Sequence, residues 1–213
     1  MISSKIKVVV TSFLCAVALV HVTCAIGGNV INVFAGKHGD AMLIDSDESK
    51  TLLVAGGAIP RGQATPSDCF AKATLHLKNG QNFYEGPLNP VHNEIIDSDA
   101  GDISGKQVGV FIYPSRIYIV KVEVDGICAD GIDFSGDYKK VAEQSARYAS
   151  TFTYFMRMED QNAADMRKNG KLAEANEELR PFIETNHSKL KLDNQDRNAV
   201  ESISKEYGLT PEP

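Results

Sequence analysis

Val108-Gly109-Val110-Phe111-Ile112-Tyr113-Pro114-Ser115-Arg116-Ile117-Tyr118-Ile119-Val120-Lys121-Val122-Glu123-Val124 is the stretch on which the fold turns. Two β-rich runs, Val108 to Tyr113 and Ile117 to Val124, flank Pro114-Ser115, which has the chemistry of a turn. Alternation in the second run predicts Tyr118, Val120, Val122 and Val124 on an inward face and Lys121 and Glu123 facing out. A pair of strands joined so tightly is antiparallel.

Working outward, further short runs repeat the pattern. Val30 to Phe34, Ala41 to Ile44 and Leu52 to Ile59 read as strands, separated by Gly36, Gly39 and Asp45 to Asp47. Cys69, Ala71, Ala73, Leu75 and Leu77 share one face of a further strand, with Lys72, Thr74, His76 and Lys78 on the other. Asn79-Gly80 then supplies a hairpin turn, and Phe83 to Leu88 returns from it. No helix-length segment separates these strands, so a parallel sheet is excluded. Six or seven short strands with turn signals between them predict a small antiparallel β-sandwich over residues 26–136.

The composition changes near Gly136, after which the chain is rich in Ala, Glu, Lys, Gln and Met. Val141, Tyr148, Phe152 and Phe155 recur at helical spacing, and Asn169-Gly170 supplies a stop. Leu172, Ala175, Leu179, Phe182 and Ile183 form a second stripe, which Pro181 should kink or restart. Asp193 caps a third helix with Val200, Ile203 and Tyr207 inside. The fold class expected is therefore α+β: a sandwich followed by a helical extension over 137–213. In the aromatic cluster of Tyr148, Phe152, Tyr154 and Phe155, the first, second and fourth are expected to pack as core rather than present a binding face.

Residues 1–25 read as a secretory signal. Lys5 and Lys7 precede an apolar core, Val8 to Val20, and Thr23 and Ala25 are small residues at the −3 and −1 positions of a cut before Ile26. Thirteen residues rise about 20 Å as a helix, short of the roughly 30 Å hydrocarbon layer. The competing reading is a lipoprotein anchored at Cys24, for which His21 and Thr23 fit badly. Removing the signal leaves 22 − 2 = 20 basic and 28 acidic side chains, a net charge of −8. Such a balance repels nucleic acid phosphates, so nucleic acid is not an expected partner. The expected location is periplasmic or secreted.

Loss of the signal also removes two of four cysteines. The remaining pair, Cys69 and Cys128, is expected to form a disulfide in an oxidising compartment.

No catalytic constellation emerges. Residues 32–45, with Gly39-Asp40 before a strand, resemble the opening strands of metallo-β-lactamase-fold proteins, whose activity rests on a dense histidine cluster. Here His38, His76, His92 and His187 stand far apart in sequence, so no zinc site is expected. Asp97, Asp99 and Asp102 have the oxygen chemistry of a calcium loop. Gly101 comes one position early, however, and Val108 stands where the twelfth-position glutamate belongs, so a solvated loop is expected. No nucleophile elbow and no phosphate loop is present. No cofactor and no metal are expected.

Residues of about 50–136 resemble exported carboxypeptidase-regulatory-like domains, which share a transthyretin-like β-sandwich. The resemblance rests on Leu53-Val54-Ala55-Gly56-Gly57-Ala58-Ile59-Pro60, on the Cys69 to Leu77 strand ending in Asn79-Gly80, and on Val120-Lys121-Val122-Glu123-Val124-Asp125-Gly126. It implies a non-catalytic scaffolding or binding module. The functional expectation is thus an exported module that binds a protein or glycan. The alternative is a secreted hydrolase with a site built from dispersed carboxylates such as Glu94, Asp97 and Asp99.

Overall fold

The computed structural model describes residues 30–46, 49–56, 69–78, 80, 82–185 and 187–209. The expected signal, 1–25, lies outside them. Eight strands form one closed antiparallel barrel: β1 (Val30–Gly36), β2 (Gly39–Asp45), β3 (Lys50–Gly56), β4 (Phe70–Lys78), β5 (Phe83–Pro87), β8 (Gln107–Tyr113), β9 (Arg116–Val122) and β10 (Gly136–Lys140). Between β5 and β8 the chain makes a small separate hairpin, β6 (Val91–His92) with β7 (Asp97–Ser98).

The barrel corrects the sandwich expected from the sequence. A sandwich has two sheets with free edges, whereas here each barrel strand pairs with its predecessor and the first pairs with the last. The closing register is Phe34 to Lys140, Ala35 to Lys139 and Gly36 to Tyr138. Alternation along a strand is the same in both architectures, so it does not distinguish them. Closure needs β10, whose sequence Gly136-Asp137-Tyr138-Lys139-Lys140 has one apolar side chain and carries no strand pattern. That residue, Tyr138, is buried at one end of the barrel and donates a hydrogen bond to the Phe134 carbonyl at 2.9 Å. A Cβ on Gly36 would stand 2.6 Å from its ring, so a side chain there would displace Tyr138.

Two layers of core follow from the alternation. Cross-strand partners put Phe34, Ala41, Val54 and Ala71 on one face and Val33, Met42, Leu53 and Lys72 on the other. The first set fills the barrel with Leu43, Leu52, Val110, Ile117 and Ile119, all buried. The second set points outward on β1 to β4, where helices cover it. Both faces of these strands are therefore apolar.

Three helices form the cover: α1 (Ala146–Lys168), α2 (Leu172–Glu184) and α3 (Asn194–Tyr207). Ser145 caps α1 by accepting from the Tyr148 N–H at 3.1 Å, and Asp193 caps α3 by accepting from the Asp196 N–H at 2.8 Å. Val141 precedes α1 rather than joining its stripe, and α2 runs unbroken through Pro181. Tyr148, Phe152 and Phe155 are buried, and the Tyr148 hydroxyl donates to the Ile31 carbonyl at 3.0 Å.

The phase of β9 also differs from expectation. Ile117 and Ile119 point inward, while Tyr118 and Val120 are 43% and 42% exposed. Gly109 pairs with Lys121 but Val110 with Ile119, so Val120 is an extra residue in a β-bulge. Beyond the bulge the parity flips, and Val122, opposite Val108, returns to the inward face.

Cys69 and Cys128 are disulfide-bonded with Cα atoms 5.5 Å apart, tying the start of β4 to the segment between β9 and β10. A loop of this length stabilises a fold by roughly 4 kcal/mol in the chain-entropy model. Cys128→Ser is expected to lower the denaturant midpoint accordingly, with the reduced wild-type protein matching it. Equal stability of oxidised and reduced protein would contradict this.

Candidate functional site

The helices lie over β1 to β4, which leaves the wall of β5, β8 and β9 open. Outward positions in register there place Phe83 of β5 opposite Phe111 of β8, and Phe111 opposite Tyr118 of β9. The result is a row of three aromatic rings running straight across three strands, with Phe83 and Phe111 centroids 4.9 Å apart. Tyr113 extends it along β8, nearly parallel to Phe111 with an interplanar angle of 13°, and the Arg116 guanidinium lies 5.1 Å from the Tyr113 centroid. Gly109 shares this outward face. A Cβ there would stand 3.2 Å from the tip of the Phe83 ring, so the glycine gives that ring room.

Charged side chains of both signs border the rings. Glu85 stands 3.8 Å from Lys78 and 3.9 Å from Lys121; Lys121 donates to Glu123 at 3.2 Å; and Arg116 donates to Asp137 at 3.1 Å. A hydrogen bond from the Gln107 N–H, aided by Lys121, holds the Glu123 carboxyl below its usual range. The surface offers flat apolar faces with donors and acceptors around them. Sequence reading missed this row because the bulge at Val120 hides the parity of Tyr118.

The carboxylates singled out from the sequence lie elsewhere. Asp97 and Asp99 approach opposite nitrogens of His92, with Asp97 Oδ1 2.7 Å from Nδ1 and Asp99 Oδ1 3.8 Å from Nε2. Their side chains are 88% and 85% exposed, so they stand in solvent rather than in a pocket. Asp102 closes the same loop by accepting from the Asp99 N–H at 2.9 Å. Glu94 joins this region to α1 through its N–H, which donates to Gln161 Oε1 at 2.8 Å. Among the described residues, no group of three or more His, Cys, Asp or Glu is placed to hold a metal ion.

The other histidines are scattered. His38 Nδ1 is 3.1 Å from the Asp133 carbonyl. His76 lies on the outer face of β4 opposite Glu85. His187 is half-buried against Phe152, and burial lowers its pKa.

A cluster of strongly perturbed titratable groups lies between barrel and helices. Lys72, outward on β4, is buried under α1 and α2, where its ammonium donates to Glu159 Oε2 at 2.6 Å and also to Glu178. Burial alone would lower the Lys72 pKa, but the two carboxylates raise it. Burial pushes Glu159 up to about 7, because Lys72 is shared with a second carboxylate, whereas Lys72 holds the less buried Glu178 below its usual value. Glu159 Oε1 has no hydrogen-bond partner among the described residues. The cavity that Lys72 lines among the described residues holds only about 10 Å³, too little for a ligand. It pins the helical layer to the barrel.

In comparison with known proteins, the chain matches no family model, no curated protein and no solved structure.

Proposed function

We propose that the chain is an exported, non-catalytic binding module that stacks a glycan on the row of Phe83, Phe111 and Tyr118. The observation carrying this reading is that row on the wall of β5, β8 and β9, with Tyr118 exposed and Phe83 and Phe111 half-buried. Flat rings take the C–H face of a sugar, while Glu85, Lys121, Arg116 and Asp137 offer acceptors and donors to the hydroxyls around it. A straight row on a sheet suits the flat ribbon of a β-1,4-linked polysaccharide.

Nucleic acid fits this surface less well. The cations there are matched by Glu85, Glu123 and Asp137, so the wall is not the unbroken positive track that phosphates require. The Cys69–Cys128 disulfide supports an oxidising, extracytoplasmic setting. The hydrolase alternative draws no support from the solvated Asp97 and Asp99.

Retention on insoluble chitin and cellulose, with titration by chitotetraose and cellotetraose, tests the reading. Tyr118→Ala is expected to weaken binding by about tenfold, roughly 1.4 kcal/mol, with unchanged melting because the ring is already exposed. No retention on either polymer, or equal binding by Tyr118→Ala, would sink it.

A further inference from the structure

The two carboxylates that share the Lys72 ammonium beneath the helices are not held alike. Glu159 belongs to α1 and its side chain is 1% exposed, whereas Glu178 belongs to α2 and is 26% exposed. The charged groups that face Glu159 are Lys72 from β4 and Glu178 from α2. Among the described residues none reaches it from α3 or from the β6–β7 hairpin.

The two helices also differ in how they are fastened. On α1, Arg147 and Thr151 both donate to Asp40 of β2, and the Tyr148 hydroxyl donates to the Ile31 carbonyl of β1. Farther along, Asn162 accepts from the His92 N–H at 3.2 Å. Among the described residues, the polar ties of α2 to the barrel and to α1 all run through Glu178, which accepts from Lys72 and lies within hydrogen-bond reach of Glu159. Its other side-chain bonds stay within the helix, as those of Arg180 do, or join it to the turn that follows. Lys171, at the N-cap of α2, makes no side-chain capping bond.

While Glu159 holds a proton, the cluster contains one ammonium and one carboxylate, and their bond closes α2 over β4. When the proton leaves, a net negative charge is stranded under the helices, with Glu159 Oε1 still lacking a donor among the described residues. Glu159 has no route to water, because α1 is fastened along its length. Glu178 has one: if α2 lifts, its carboxylate is solvated and Glu159 keeps the ammonium alone. Burial, with the Glu178 charge adding to it, puts the Glu159 pKa at about 7, so the exchange falls in the neutral range. The closed form holds the proton more tightly than the open one, and opening therefore rises with pH.

We propose that α2 is a pH-responsive flap, latched to the barrel by the bond between Lys72 and Glu178 and released more often as Glu159 gives up its proton. The open form is a minor state, because lifting α2 uncovers Leu179, Phe182 and Ile183, which are fully buried. The device sets how often that apolar stripe is shown to solvent, and it is independent of the aromatic wall.

Hydrogen exchange of the full chain, followed by mass spectrometry at pH 6 and pH 8 and corrected for the intrinsic rate, tests the proposal. At pH 8 the amides of residues 172–184 are expected to be at least tenfold less protected than those of α1 and β4. Their protection should fall about tenfold between the two pH values, as linkage to one proton requires. Glu159→Gln is expected to keep α2 protected at both. Glu178→Gln removes the latch and leaves Glu159 alone with Lys72, so α2 should be loose at both. His187, in the turn after α2, has a pKa that burial lowers; a response from it would survive in Glu159→Gln. Amides of α2 as well protected as those of α1 or β4, unchanged protection between pH 6 and pH 8, or a pH response that persists in Glu159→Gln would overturn the assignment.

Discussion

Lys72→Ala is expected to destabilise the protein by about 3–5 kcal/mol at neutral pH, as removing one partner of a buried charge cluster typically does. Without the ammonium, Glu159 and Glu178 are left facing each other under the helices with one charge or more uncompensated. The loss should shrink in acid, where the carboxyls left without the ammonium take up protons in the variant, and denaturant titration of wild type and variant at pH 4.5 and 7.5 reads the difference.

Wild-type stability should itself depend on pH through Glu159. Its folded pKa, about 7, lies above the unfolded value, so the folded state holds the proton more tightly. Stability from this group is fully present below about pH 4.5 and is lost as pH rises through 7. Glu178, whose pKa is lowered, acts the other way and only in stronger acid. Between these limits Glu159→Gln, which stays neutral, should flatten the profile. A wild-type profile flat from pH 5 to 8, or an unchanged slope in Glu159→Gln, would contradict the account.

Phe152→Ala is the second large effect expected, about 3–5 kcal/mol. The ring is fully buried and sits among Tyr148, Phe182 and His187, with centroids 6.4, 5.6 and 5.6 Å away. Truncation opens a cavity where α1, α2 and the turn at His187 meet, and rigid neighbours on three sides limit its collapse. The thermal midpoint should fall clearly while the Cys69–Cys128 bond stays intact by non-reducing mass mapping. An unchanged midpoint would return the α1 aromatics to the role of a binding face.

How much of this was legible varies by element. The barrel strands β1 to β5, β8 and β9 were visible because their apolar runs are short and cleanly broken by Gly, Pro, Asn and Asp, whereas the short β6 and β7 carry no such run. Helix caps at Ser145 and Asp193 follow local rules, and Asp193 was readable for that reason. Closure was not readable, since it depends on β10, where one tyrosine among charged residues carries the pairing. The face of Tyr118 was hidden by a bulge, because Ile117 to Val124 is apolar at both parities. Lys72 was correctly placed on the outer face of its strand, yet nothing local shows that α1 and α2 cover it.

The seam of the barrel carries a kinetic consequence. Phe34 and Lys140 are neighbours in the sheet but 140 − 34 = 106 residues apart in sequence. All the other barrel pairings join consecutive strands of the barrel and can form as each arrives. The seam must wait for the whole wall, and long-range closures of this kind slow folding. Until then β1 presents an open edge, the kind of surface that recruits other chains. The helices pack against β1 and β2 but follow β10 in sequence, so they cannot shield that edge early. In a chain made from its N-terminus, the first strand to appear is thus the one that waits longest for its second neighbour.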